Sequence, residues 1–268
     1  MDTHQNKPLL YLDFLGFSEK IQSQSIEDSI SYYKQILGDF EIFSSVTKYK
    51  VNFDVVSDSA FLWIDGDDLY TSTKQLFQIA SSISHNSLFK KRPIRGAIIF
   101  DDFIIGDKKF EVHGKEITTH LILGKAIISG YRWEQTQDWF GISINPLYIK
   151  VFEEKLPKLI EELVKDHFIT YYDIPTKVGE IKSYAVCGYI KSHITGTYIL
   201  YWKGKTKRIK VPTYDKMHKE LKDSVKDFSV LNKLTNTEKF YDYVVSKKLF
   251  RDNTKKPAAN KSIEAIGP

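Results

Sequence analysis

Two short apolar segments, each carrying a lone carboxylate, constrain this chain more than anything else in it. Tyr11-Leu12-Asp13-Phe14-Leu15-Gly16-Phe17-Ser18 lies near the start, and Val55-Val56-Ser57-Asp58-Ser59-Ala60-Phe61-Leu62-Trp63 answers it. Runs this short, bounded by turn residues, predict buried strands rather than helices. Asp13 and Asp58 therefore fall at strand ends, where paired carboxylates can hold hard divalent ions.

The pattern around them alternates strand and helix. Residues 8–15 predict a strand bounded by Pro8 and Gly16. Residues 27–45 predict a helix with Ile30, Tyr33, Ile36, Leu37 and Phe40 on one stripe. Residues 48–64 predict a hairpin with Asp58 at or beside its turn, and 68–88 a second helix. A strand follows from Ile94 to Ile105, with Gly106-Asp107-Lys108 as a turn into a shorter pairing strand. Gly124 opens a third helix running to about Asp138, and 141–144 read as a short strand. This order is βαββαβ, an α+β, ferredoxin-like core with helices on one face of a mostly antiparallel sheet.

Beyond 145 the pattern predicts a charged amphipathic helix (149–167), strands near 169–174, 183–190 and 197–211, and helices near 215–231 and 236–247. The expected division is a core over 1–145, an α/β C-terminal appendage over 146–250, and a polar, disordered tail over 251–268.

The 268 residues, 42% hydrophobic and 27% charged, suit one enzyme-sized globular chain and exclude wholesale disorder or a fibrous class. The net charge of +5 gathers in 201–226 and 247–261 and reads as solvated faces, with no nucleic-acid partner expected. Cys187, the one cysteine, forms no internal disulfide and belongs to no CxxC, so it reads as a small buried hydrophobe in a cytoplasmic protein. Neither a secretory signal nor a membrane span is legible.

Asp-x-x-Gly-Phe-Ser has a mechanical rationale. A carboxylate at a strand end ligates Mg²⁺ or Mn²⁺, and the Gly16 turn exposes the amides of Phe17 and Ser18 to phosphate oxygens. With these residues in view, the chain resembles the catalytic domain of class III nucleotidyl cyclases over residues 8–145. Asp13, Gly16, Phe17 and Ser18 match the family's first metal motif, and Asp58 the second, with Ser57 in place of the usual glycine. Pro93-Ile94-Arg95-Gly96-Ala97-Ile98 resembles the next strand. Gly124 to Arg132 resembles the helix that begins with glycine and carries an arginine about two turns on.

The departures concern the base. Asp54 stands where purine cyclases carry a lysine, Leu121 where they carry an adenine-reading group, and Ile128 where an asparagine orients the ribose. These departures resemble the pyrimidine cyclases of Pycsar antiphage systems, which make cUMP or cCMP. The resemblance implies attack of the ribose 3′-OH on the α-phosphorus of UTP or CTP, with release of pyrophosphate. It implies two divalent ions (Mg²⁺ or Mn²⁺) on Asp13, Asp58 and the Phe14 carbonyl, and Arg132 opposing phosphate charge from across a head-to-tail homodimer. A cyclic-nucleotide-responsive effector would be the downstream partner. Asp54, placed by strand alternation on the same side as Asp58, would accept a hydrogen bond from uracil N3–H or the cytosine amino group, and Arg95 would bind phosphate or pair with a carboxylate.

Other features read as structural. His113 and His120 suggest no metal site. Tyr198, Tyr201 and Trp202 with Lys203, Lys205, Lys207, Arg208 and Lys210 read as a strand with a basic face. The 149–167 helix reads as packing. The alternatives are a catalytically silent nucleotide-binding or scaffold protein on the same fold, and a palm-type dinucleotide synthase, although the Gly-Gly-Asp-Asp or Gly-Gly-Asp-Glu-Phe turn is absent.

Overall fold

The computed structural model describes residues 4–45, 49–202 and 205–252; the side chains at 42–45, 198–202 and 205–206 lie outside that description. The expected tail beyond 252, and the Tyr198, Tyr201, Trp202, Lys203 and Lys205 side chains, therefore fall outside the described residues.

In chain order the elements are β1 (His4–Phe14), α1 (Phe17–Gln22), α2 (Ile26–Ser45), β2 (Lys50–Val56), β3 (Ser59–Asp65), α3 (Leu69–Phe89), β4 (Ile94–Val112), β5 (Lys115–Gly124) and α4 (Lys125–Thr136). There follow β6 (Ile142–Ile144), α5 (Ile149–Lys155), α6 (Pro157–Lys165), β7 (Ile169–Thr176), β8 (Gly179–Val186), α7 (Lys191–Thr195), β9 (Thr197–Trp202), β10 (Lys205–Lys210), α8 (Tyr214–Ser224) and α9 (Phe228–Ser246). The main sheet runs β2-β3-β1-β4-β6-β8-β7, with β5 on the outer reach of β4, and β9-β10 form a separate ribbon. Every described pairing between these named strands is antiparallel except β4 with β6. The fold is α+β, with a mixed, mostly antiparallel sheet, and residues beyond 145 add β7 and β8 to that same sheet.

Helices do not stay on one face, as the sequence suggested. Leu10, Leu12 and Phe14 of β1 pack with α2, α3, α5 and α6, whereas Leu9 and Tyr11 pack with α4, α8 and α9. The reason is legible in the central strands. Leu9-Leu10-Tyr11-Leu12 and Ala97-Ile98-Ile99-Phe100 are apolar without a break and buried throughout, the pattern of strands covered on both sides. Each fully buried leucine or isoleucine contributes about 1.5–3 kcal/mol.

Three boundaries also move. β4 runs through Gly106-Asp107-Lys108, and the hairpin turns instead at His113-Gly114, both at positive φ (51° and 75°) as a two-residue hairpin loop demands. The 149–167 helix breaks at Leu156 because Pro157 has no N–H to continue it and serves as the first residue of α6. The last helix starts at Phe228, where Asp227 accepts hydrogen bonds from the amides of Ser229 and Val230. Cys187 is buried as expected, and burial pushes its thiol pKa up to about 12.

Candidate active site

The site grows from one face of the sheet. Side chains alternate along a strand, so the residues sharing Tyr11's side of β1 include Asp13, which pairs across to Ser59 of β3 and Arg95 of β4. The Tyr11 hydroxyl and the Ser59 hydroxyl, 2.9 Å apart, lie on that face too. Asp54 sits opposite Phe61, which packs in the same cluster as Tyr11. Asp13, Arg95 and Asp54 therefore all address the α4 side of the sheet.

Two loops close on the end of β1. The Ser57-Asp58 turn joins β2 to β3, with Ser57 in the left-handed region at φ 56°. The Phe14 amide donates to the Asp58 carbonyl at 2.8 Å, which ties the turn to β1. The Leu15 amide donates to the Pro93 carbonyl at 3.1 Å, and Gly16 at φ 77° then swings the chain into α1. Asp13, Phe14, Asp58 and Arg95 are thus brought together by backbone hydrogen bonds.

The third wall is α4, and glycine sets its height. A methyl group on Gly130 would stand 2.8 Å from Ile99 Cδ1 and 3.0 Å from Tyr11 Cβ, so only glycine lets the helix lie this close to β1 and β4. One turn on, Glu134 enters fully buried and ion-paired with Arg95. Arg95 Nη1 also donates to the Gln137 carbonyl at 3.0 Å, and its Nη2 stands 3.9 Å from Asp13 Oδ2. Gln137 is held in turn, donating to the Gly96 carbonyl (2.9 Å) and accepting from Trp139 Nε1 (2.8 Å) and Ser143 Oγ (3.0 Å).

Asp13 and Glu134 thus flank one guanidinium, and Asp58 stands near enough to Asp13 to repel it. Burial, followed by repulsion from Glu134 and Asp58, raises the Asp13 pKa from 3.8 to about 7, with Arg95 opposing the rise. Burial also raises the Glu134 pKa, against the pull of Arg95. The donor set is hard oxygen, which fits Mg²⁺ or Mn²⁺. Among the described residues no three His, Cys, Asp or Glu side chains form a metal-holding group.

The other expected site residues lie apart. The Phe17 ring is buried against Tyr32 (centroids 5.9 Å apart), and Ser18 is exposed. Asp54 stands on β2 two residues before its end at Val56, roughly 7 Å back along the strand from the turn that carries Asp58, and its Oδ2 lies 2.5 Å from His120 Nε2. Arg132 is two residues before Glu134 on α4, about 200° around the helix. It faces outward, lining a groove with Ser129, Thr136, Asn145, Pro146 and Leu147.

Two residues of this region carry no motif. Glu134 has a sequence signal: with Ala126, Gly130 and Trp133 it falls on the buried stripe of α4, and a carboxylate on such a stripe needs a cationic partner. His120 has none, because its contact with Asp54 depends on how the β4–β5 hairpin folds back toward β2.

No known family's sequence profile matches the chain, and no curated protein matches it. Among solved structures, the chain is similar to the dimeric guanylyl cyclase domain of the RhoGC fusion protein from Blastocladiella emersonii, at 11% identity over 69% of this chain and 98% of that one (TM-score 0.48). It is similar to the guanylate cyclase domain of RhGC from Catenaria anguillulae, solved with GTP, at 10% identity over 69% and 98% (TM-score 0.47). It is also similar to the adenylyl cyclase CyaB from P. aeruginosa, at 14% identity over 69% and 96% (TM-score 0.45). The likeness is distant and is one of fold.

Proposed function

We propose that this chain is a metal-dependent nucleotide cyclase that converts a pyrimidine triphosphate, UTP or CTP, to its 3′,5′-cyclic monophosphate and pyrophosphate. One observation carries the reading: Asp13 and Asp58 come from separate parts of the chain to one corner, where the Asp13 carboxyl is left under-neutralised. Asp13, Asp58 and the Phe14 carbonyl would hold two divalent ions. When bound, these ions lower the pKa of the ribose 3′-OH and neutralise the departing pyrophosphate.

The chain's own residues do the rest. Glu134 and Gln137 fix Arg95, which stands beside Asp13 and limits how the carboxylate turns. The triphosphate would lie over the Gly16 turn, near the Phe17 and Ser18 amides. Asp54, on the same sheet face and further up β2, would meet the base. Its carboxylate offers only acceptor atoms, which favours a base edge with an N–H.

Arg132 faces away from Asp13 of its own chain; the exposed Ile128 and Tyr131 stand near it in sequence, and the exposed Leu147 lines the same groove. A head-to-tail homodimer would cover these side chains and bring Arg132 to the partner's phosphates, where it would oppose developing charge. By the resemblance, the product would signal to an effector in antiphage defence.

Incubation of the purified chain with ATP, GTP, CTP and UTP in Mn²⁺, with products resolved by mass spectrometry, tests the reading. The expected result is a cyclic pyrimidine monophosphate that disappears in Asp13→Ala and Asp58→Ala. Equal turnover in either variant refutes it, and nucleotide binding without any product favours the silent binding protein.

A further inference from the structure

His120 sits between two carboxylates. Its Nδ1 lies 2.8 Å from Asp107 Oδ1, and its Nε2 2.5 Å from Asp54 Oδ2. Asp107 is the residue directly across the β4–β5 ladder from His120, so that contact is set by strand register. Asp54 belongs to β2, at the far edge of the main sheet, with β3 and β1 between it and β4. The imidazole is therefore a bolt from the hairpin to the edge strand.

The geometry fixes its chemistry. An ionised carboxylate only accepts, so two carboxylates on opposite ring nitrogens require both nitrogens to donate, and the ring is an imidazolium. Its two N–H groups are then used up, which leaves His120 nothing to offer a base directly. Its effect passes through Asp54. With Oδ2 held, the carboxylate has one orientation, and Oδ1 accepts no hydrogen bond among the described residues. The Asp54 side chain as a whole remains 20% accessible.

We propose that His120, braced by Asp107, is the positioning residue that holds Asp54 as a single, directed acceptor for an N–H on the substrate base. This rests on the placement of the base at Asp54 in the proposed function, and it adds a residue that the sequence pattern gave no reason to choose. An orienting clamp turns a freely rotating carboxylate into one that rejects bases presenting an acceptor at that point, because two opposed lone pairs find no proton between them.

Equilibrium binding separates this claim from turnover. Each of UTP, CTP, ATP and GTP is titrated into the full chain by calorimetry, with Ca²⁺ replacing Mn²⁺ to suppress reaction. His120→Ala should weaken the preferred pyrimidine triphosphate about tenfold, the worth of one directed hydrogen bond, and narrow its lead over purines. His120→Gln, which restores one donor to Asp54, should recover part of the loss. In ¹⁵N spectra at pH 7, His120 should be doubly protonated in the wild type and lose that state in Asp54→Asn. Unchanged affinity and selectivity in His120→Ala, a neutral His120 insensitive to Asp54→Asn, or no binding of any triphosphate by the wild type overturns the proposal. Selective binding that depends on His120 without any cyclic product upholds it while refuting the cyclase reading.

Discussion

Arg95 pairs with Glu134 and stands 3.9 Å from Asp13, so the one buried cation of the site serves the helix carboxylate first and the strand carboxylate second. Burial first, and then the neighbouring Glu134 and Asp58, raise the Asp13 pKa to about 7 against the weaker pull of Arg95.

Asp13→Asn should therefore stabilise the metal-free protein at neutral and alkaline pH. The sign follows from linkage. Between pH 4 and 7 the folded chain keeps a proton on Asp13 that the unfolded chain has lost, so wild-type stability falls as pH rises through that window. The asparagine variant has no such proton to lose. At about 1.4 kcal/mol per pKa unit, the gap should open from near zero at pH 4 to a few kcal/mol above pH 7. Urea unfolding at a series of pH values measures it. A pH-independent gap would mean that Asp13 is not the strained group.

A divalent cation should reverse that order. Mn²⁺ supplies the charge that Asp13 and Asp58 lack, and a ligand at one hundred times its Kd adds about 2.7 kcal/mol to the folded state. Thermal melts should rise with Mn²⁺ in the wild type and stay flat in Asp13→Asn and Asp58→Asn. Because the ion displaces a proton from Asp13, its apparent affinity should strengthen by up to about tenfold per pH unit below pH 7 and level off above it. Equal Mn²⁺ shifts in all three proteins would place the ion elsewhere.

The Cys187 thiol, buried and pushed up to about 12, should not react with a thiol reagent such as Ellman's reagent in the native protein. Release of the chromophore should track global unfolding across a urea titration. Labelling well below the unfolding transition would show that β8 opens locally where its end passes α3.

The corner that holds Asp13 and Asp58 was legible because both residues interrupt short apolar runs, and the strand periodicity that buries Leu10 and Leu12 fixes where Asp13 must point. The second covered face was less so. The unbroken Ala97-Ile98-Ile99-Phe100 run carries that information, yet nothing local says which helices supply the cover, and Tyr214, Leu234 and Phe240 arrive from more than a hundred residues away. The length of β4 turned on a glycine. Gly106 reads as a turn residue, but at φ 121° it sits within the ladder and the true turn waits for His113-Gly114. His120 lay beyond reach altogether, since its contact with Asp54 comes from the path of a hairpin and not from the composition of either strand.

The Arg95–Glu134 pair offers the sharpest test of how the site is built. Both side chains are essentially buried, and Arg95 has further bonds to hold it, so removing one partner strands a charge in the interior. Arg95→Ala should cost about 3–5 kcal/mol of folding free energy, because Glu134 loses the cation that offsets its burial. Glu134→Gln should cost less, since Arg95 keeps the Gln137 carbonyl and comes closer to Asp13 in need. The double variant should be more stable than the sum of the two losses implies, by about 1–3 kcal/mol, because the stranded carboxylate is gone. The Glu134→Gln variant has a second signature. With one carboxylate removed from its surroundings and Arg95 freed, Asp13 should become easier to ionise, and the pH at which Mn²⁺ affinity levels off should move down from 7. A strictly additive cycle with an unmoved Mn²⁺ profile would mean that Glu134 only anchors α4, and that Asp13 is tuned by burial and Asp58 alone.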